Sequence, residues 1–338
     1  MESLLRVRHT EKLIQYVEIN ENFDKHFRKS SKFKRTGKQG IVGVLKLQED
    51  DLGVYKISKH MNYLIDQEYL VMRSLNDLKN YCPHFCKVYG KIQKQVDPQY
   101  KRIDNPFEIN SKHPVTMDVL LMEYIPKKKL YNLFKSRVSD DIIYSQIKQV
   151  LMAISMAQRK KEFVHYDLHS QNIIVKDCDK DDVFLYILDE DNQFCIPTYG
   201  HYPVIIDFGY SYTGDMKGGP CFPTTAHTDV GFMSCLFDAQ ADPKLFLVTI
   251  SDELEQKRPT KNSHMLRNIT KNIFKPLEID WESGWDNVDQ LSAADCVSQA
   301  VESDNNVDSN LFEKYNHFCI DILHSLITLP LKRKSHKN

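Results

Sequence analysis

The segment Phe163-Val-His-Tyr-Asp-Leu-His-Ser-Gln-Asn-Ile-Ile-Val-Lys-Asp177 sets His165, Asp167, His169 and Asn172 between two apolar runs. Burying that many polar groups costs several kcal/mol unless each finds a partner. A further acid, Asp207, follows directly on the apolar run Pro203-Val-Ile-Ile206. Carboxylate and amide oxygens are the ligands that hard cations such as Mg²⁺ prefer. A carboxylate left off the metal can orient a hydroxyl and accept its proton. Side chains of these types are able to hold a hard cation or to orient a hydroxyl.

His165-x-Asp167-Leu168-x-x-x-Asn172 resembles the catalytic loop of protein kinases, and Asp207-Phe208-Gly209 resembles their metal-binding motif. Either piece alone is common by chance; the two in order, each after a strand-like apolar run, make the signal. The resemblance to the protein-kinase-like superfamily implies an α+β, bilobal fold and phosphoryl transfer from ATP with Mg²⁺. Its implied acceptors are protein Ser/Thr hydroxyls. It implies Asp167 as the base, with Asn172 and Asp207 as metal ligands. Phosphoryl transfer asks little covalent work of a protein; it needs charge neutralisation and an aligned acceptor, which these residue types supply.

Other parts follow from the same resemblance. Val54-Tyr-Lys-Ile57 is similar to the family's lysine-bearing third strand, so Lys56 is expected on the α/β-phosphates. Its acidic partner is expected on the next helix, either Glu68, twelve residues on, or Asp66, two residues earlier. Leu120-Leu-Met-Glu-Tyr-Ile125 resembles the hinge strand, with Met122 as gatekeeper and the backbone of Glu123 and Ile125 facing adenine. The glycine-rich loop would fall on Lys38, Gly40 and Gly43, with Gly37 displaced by one position. Gly40 and Gly43 still let backbone N–H groups approach phosphates. His169 replaces the lysine that steadies the γ-phosphate and is read either as touching that phosphate or as capping the loop, and His165 is expected to pack beneath the loop. Asp242, 35 residues after Asp207, is expected to open the long helix of the second lobe, in preference to Asp229 at 22 residues.

The departures are informative. Tyr166 stands where many protein kinases have Arg, so control through a phosphorylated activation loop is not expected. No Ala-Pro-Glu precedes Asp242. The 34 residues between Asn172 and Asp207 imply an extended hairpin. That elaboration, the Asp207-Phe-Gly-Tyr-Ser211 ending and the divergent tail are similar to protein-kinase-like proteins of large DNA viruses. Two rival readings remain: a small-molecule kinase on the same fold, and a pseudokinase serving as a binding or virion scaffold. Retention of Lys56, Asp167, Asn172 and Asp207 argues against the scaffold, which needs none of their charges.

The elements that must position these groups can be read from periodicity. Strands are expected at 40–48 and 52–58, joined as a hairpin, and at 85–93 and 116–125, joined by a polar loop over 94–114. Apolar residues recurring near 3.6 predict helices over 62–78, 141–160, 242–256 and 310–326, and 282–309 reads as an acidic loop. The organisation is then an extension over 1–34, an antiparallel-sheet N-terminal lobe with one helix over 35–125, and a larger mainly helical C-terminal lobe over 126–338. Within that lobe, 256–338 diverges from the family.

Across 338 residues, 41% are hydrophobic, 27% are charged and the formal net charge is −1. That is a soluble globular composition and not that of a protein coating nucleic acid. Residues 25–38 hold seven Lys/Arg and 277–308 hold nine Asp/Glu; both are read as solvated faces. The expected partner is a protein substrate, with neither nucleic acid nor membrane. The eight cysteines show no paired spacing, Cys82-Pro-His-Phe-Cys86 included, so core thiols in a reducing compartment are expected. The first residues lack the apolar core of a signal peptide, and no apolar run nears the roughly 18 residues of a membrane span. An intracellular location is expected, in host cytoplasm or virion.

Overall fold

A computed structural model describes residues 40–47, 51–58, 63–96, 113–126, 128–216, 237, 239 and 241–274. The N-terminal extension, Gly37 and Lys38, Asp229, the acidic loop and the helix expected over 310–326 lie outside the described residues. The protein is mixed α/β, built on small antiparallel sheets, and it divides into two compact units.

The first unit includes Phe85–Pro126 and, from far along the chain, Asp207–Gly209. Its strands β1 (Gly40–Leu47), β2 (Asp51–Ser58), β3 (Val88–Val96) and β4 (Val115–Glu123) form an antiparallel sheet in the order β1-β2-β4-β3. The two inner strands carry unbroken buried runs, 53–58 and 117–121, instead of the alternation of a half-solvated sheet. Lys56 and Asp118 are the charged exceptions within those runs. Helix α1 (Tyr63–Asn76) buries Ile65, Met72 and Leu75 at spacings of one helical face. Its last residue is tied to β3 by Asn76 Nδ2 donating to the Val88 carbonyl, 2.9 Å away.

The second unit is organised by α3 (Asp140–Lys161), preceded by the short α2 (Leu130–Phe134). Acids at Asp140 and Asp141 and bases at Arg159, Lys160 and Lys161 complement the dipole of this 22-residue helix. Glu162 ends it in the left-handed region, φ 46°, with its N–H on the Gln158 carbonyl. Strands β5 (Ile173–Asp177) and β8 (His201–Ile205) pair antiparallel and enclose a second hairpin, β6 (Val183–Ile187) with β7 (Gln193–Pro197). The long interval before Asp207 is thus a hairpin within a hairpin. Among the described residues, helices α4 (Ala241–Lys257) and α5 (Lys261–Phe274) follow in this unit.

Helix α5 is not among the helices expected above, its composition being polar overall, although Met265, Leu266, Ile269 and Ile273 recur at helical spacing. Its start is nonetheless written in Thr260 and Ser263. Each donates a backbone N–H to the other's hydroxyl, at 2.8 and 3.1 Å, a reciprocal capping arrangement. The Cys82-Pro-His84 stretch is likewise structural. The His84 ring is fully buried, with Nδ1 2.9 Å from the Pro203 carbonyl and Nε2 2.7 Å from the Tyr186 hydroxyl. A carbonyl can only accept, so Nδ1 carries the proton and Nε2 accepts from the phenol. Burial lowers the His84 pKa to about 4.

Candidate functional site

Lys56 sits mid-strand in β2, opposite Val42 on β1 and Leu120 on β4. Its ammonium lies 2.8 Å from Glu68 Oε2 and 2.6 Å from Asp207 Oδ1. Glu68 reaches it because it occupies the buried face of α1, three residues after Ile65 and four before Met72. Asp66 sits off that face and pairs with Lys91 instead. Of the two acids left open by the sequence, geometry joins Glu68 to Lys56. Glu68 Oε1 also accepts the Phe208 N–H at 3.2 Å, so the same carboxylate fixes the backbone next to Asp207. Phe208 is fully buried, with Phe85 as a ring neighbour at 6.5 Å.

The electrostatics of this triad follow from burial. Desolvation acts to lower the Lys56 pKa, but the Asp207 and Glu68 charges and hydrogen bonds outweigh it and hold the amine above the ordinary lysine value. Burial raises the Glu68 pKa, and the Lys56 ammonium pulls against it. With both acids ionised the cluster carries one net negative charge. Its exposed end is Asp207, whose side chain is 43% accessible where that of Glu68 is 2%. The chemistry available there is capture of a cation or of a group that brings one.

In the second unit the loop after Phe163 is held from below. Asp242, in the first turn of α4, accepts the N–H of His165 on Oδ2 at 2.7 Å and that of Tyr166 on Oδ1 at 2.9 Å. Tyr166 has φ 61°, a left-handed conformation that is costly for a bulky residue, and this double clamp holds it there. His165 is fully buried; Nε2 faces the Ile206 carbonyl at 3.0 Å and Nδ1 accepts the Asp167 N–H at 3.2 Å. It packs beneath the loop and aims it. Ser170 adds a third tether, donating to Glu253 at 2.5 Å. Sequence reasoning missed Glu253, although it follows Asp242 by eleven residues, about three helical turns on the same face of α4.

The polar tips then converge. Asn172 Nδ2 donates to the Asp167 carboxylate at 2.9 Å and to its carbonyl at 3.0 Å. With the amide nitrogen so engaged, the amide oxygen is the atom left to meet a cation. His169 Nδ1 caps the 3-10 turn over Ser170–Asn172 by accepting the Gln171 N–H. Its Nε2 stands 3.5 Å from Asp167 Oδ1. An acid oriented by an amide and an imidazole can receive a proton. Ile206 N–H bonds the Asn172 carbonyl at 2.9 Å, which links this loop to the end of β8.

The remaining sequence candidates lie on the first sheet. Gly40 and Gly43 are in β1, paired with Ser58 and Tyr55. A Cβ at Gly43 would overlap the Tyr55 phenol, so packing alone demands glycine there. Met122 is on β4 opposite Val54. The Glu123 N–H is spent on the Lys87 carbonyl at 2.9 Å, while its own carbonyl faces the Cys86 thiol at 3.8 Å. Ile125 is buried just past the strand. Among the described residues no three His, Cys, Asp or Glu side chains group to hold a metal by themselves, and no helix is long and apolar enough to cross a membrane.

No family model matches the chain. It is similar, at 30% identity over 334 residues, to the Uncharacterized protein 098R of Invertebrate iridescent virus 6, covering 84% of this chain and 54% of that one. It is 29% identical over 299 residues to the Uncharacterized protein 038R of Invertebrate iridescent virus 3, with 82% and 53% covered. At 26% over 190 residues it also resembles the Probable kinase 098L of Invertebrate iridescent virus 3, covering 53% of this chain and 30% of that protein. The chain thus spans about half the length of the first two relatives.

Proposed function

We propose that this chain is an ATP- and Mg²⁺-dependent phosphotransferase with the bilobal protein-kinase-like fold, acting on protein Ser/Thr hydroxyls. The observation that carries the reading is the Lys56–Glu68–Asp207 triad, because it draws together residues 151 positions apart that the motif order had singled out. The name of the 26% relative points the same way. Lys56 would anchor the α/β-phosphates, with Glu68 holding the amine in place. Asp207 and the Asn172 amide oxygen would hold Mg²⁺, which would neutralise charge on the phosphates. The residues fit that ion: they offer a net negative, part-exposed carboxylate and an amide oxygen, and Mg²⁺ takes few protein ligands and fills its sphere with water and phosphate oxygens. Asp167 would orient the acceptor hydroxyl and take its proton. His169, standing against Asp167, would steady the transferred group.

His169 also favours a second acceptor class, a small molecule, since it replaces the lysine typical of protein-directed enzymes. One experiment separates the two. The protein is incubated with γ-labelled ATP, Mg²⁺, generic protein substrates and a metabolite panel, beside a Lys56→Met control. Label on protein Ser/Thr, lost in the control, is the expected outcome. Label only on metabolites overturns the protein-kinase assignment, and none on either overturns phosphoryl transfer.

A further inference from the structure

The face of α3 bearing Asp141, Tyr144 and Lys148 does not close against β7. It leaves a cavity of about 230 Å³ whose other wall includes Phe194, Ile196 and Tyr199. Residues 141, 144 and 148 share one helical face at spacings of three and four. The cavity is bounded by a fixed join, since Ser145 Oγ donates to the Pro197 carbonyl at 2.5 Å. Phe194 and Ile196 are the inward residues of β7, alternating with exposed Gln193 and Cys195. The cavity therefore has an apolar side set by strand periodicity.

Its polar equipment is unusual in kind. The Lys148 ammonium and the Tyr144 and Tyr199 hydroxyls are all donors, and among the described residues none has a hydrogen bond or ion pair to the protein. A part-buried ammonium without an acceptor is unfavourable unless something supplies one. Burial lowers the Lys148 pKa, and Asp141 offsets this only in part. Asp141 lines the other end of the same face, two turns and about 10 Å away along the helix. That acid repels a second negative charge and invites a donor.

We propose that this cavity binds a small organic monocarboxylate. Its carboxylate sits on Lys148 with the tyrosine hydroxyls, its apolar body lies against Phe194 and Ile196, and a hydroxyl or amine at its far end meets Asp141. The site is separate from the Lys56 triad and from the Asp167 loop, and it stands whether or not the chain transfers phosphate.

The probes are 4-hydroxyphenylacetate and 6-aminohexanoate, each against its primary amide, followed by protein-observed NMR on the full chain. The expected result is that at least one carboxylate binds with millimolar or better affinity, shifting resonances of 141–148 and 193–199. Its amide binds at least about tenfold more weakly, and so does the carboxylate to Lys148→Met. Lys148→Met removes a charge that has no ion pair among the described residues, and Tyr144→Phe, which keeps the ring, is the second variant, expected to weaken binding about threefold or more. Equal binding of carboxylate and amide, undiminished binding to both variants, or no binding of either carboxylate at 10 times millimolar concentration each overturns the proposal.

Discussion

The two units hold their polar groups by different means. In the first, charge is held against charge: Lys56 stands between two carboxylates at 2.6 and 2.8 Å, and its side chain is only 9% exposed. In the second, Asp167 is oriented by an amide and faced by an imidazole, and the backbone beneath it is gripped by Asp242. A charge-held cluster is rigid, but each member depends on the others, because losing one leaves an uncompensated buried charge. A carboxylate positioned by hydrogen bonds depends less on any single charged neighbour. The difference separates a charge cluster, the anchor of the first unit, from a part-exposed carboxylate held by hydrogen bonds.

Breaking the anchor gives the largest effect. Lys56→Met should cost about 3–5 kcal/mol in stability, because Glu68 is left buried without its cation. Urea denaturation measures it, and adding Glu68→Gln should recover more than half. Strictly additive losses would contradict the coupling. Asp167→Asn is the counterpart in the other unit. It should leave stability within about 1 kcal/mol, the side chain being part-exposed. Under the proposed function it lowers phosphoryl transfer by about 10²–10⁴-fold with nucleotide affinity kept. A variant that unfolds would erase the contrast between the units.

The second unit has its own acid-sensitive point in His84. Its folded pKa of about 4 lies below the ordinary histidine value of 6.5, so the unfolded chain takes up the proton first. The stabilisation is full above pH 6.5, declines as pH falls from 6.5 to 4, and is gone below that. The span corresponds to about 3 kcal/mol. Urea midpoints at pH 7, 5.5 and 4 measure the slope, and His84→Gln should flatten that part of it. An unchanged slope would place the acid sensitivity elsewhere. Asp242→Asn is expected next in size, at about 2 kcal/mol, since an amide can accept one of the two N–H groups and sets a donor against the other.

Much of this arrangement was legible in the residues. Helices over 62–78, 141–160 and 242–256 were readable because each buries a continuous apolar face; they run Tyr63–Asn76, Asp140–Lys161 and Ala241–Lys257. The strand expected over 85–93 runs Val88–Val96: its pairing with β4 starts at Val88, and Phe85 and Cys86 are core residues that precede it. What stayed hidden was three-dimensional. No spacing rule says that Phe208 would offer its N–H to Glu68, or that Glu253 would reach Ser170. The grouping of Asp207–Gly209 with a sheet more than 80 residues earlier has no local signature either. The Lys56–Asp207 ion pair, the Phe208 N–H on Glu68 and the buried Phe208 ring all contribute to it.

The smallest effect sharpens the comparison most cheaply. Asp66 and Glu68 are two residues apart on one helix, and each meets a lysine. Their side chains are 38% and 2% exposed. Water screens the first pair and flexible side chains lose entropy in making it, so Asp66→Ala should cost less than about 1 kcal/mol. Salt should erase most of that difference, because exposed charges are screened within about 10 Å at 0.1 M. Glu68→Ala removes a buried partner from Lys56 and from the Phe208 N–H together, so its cost should be several-fold larger and insensitive to salt. Equal losses for the two alanine variants would mean that burial does not set the strength of the Lys56 cluster, and the anchor role would fall with it.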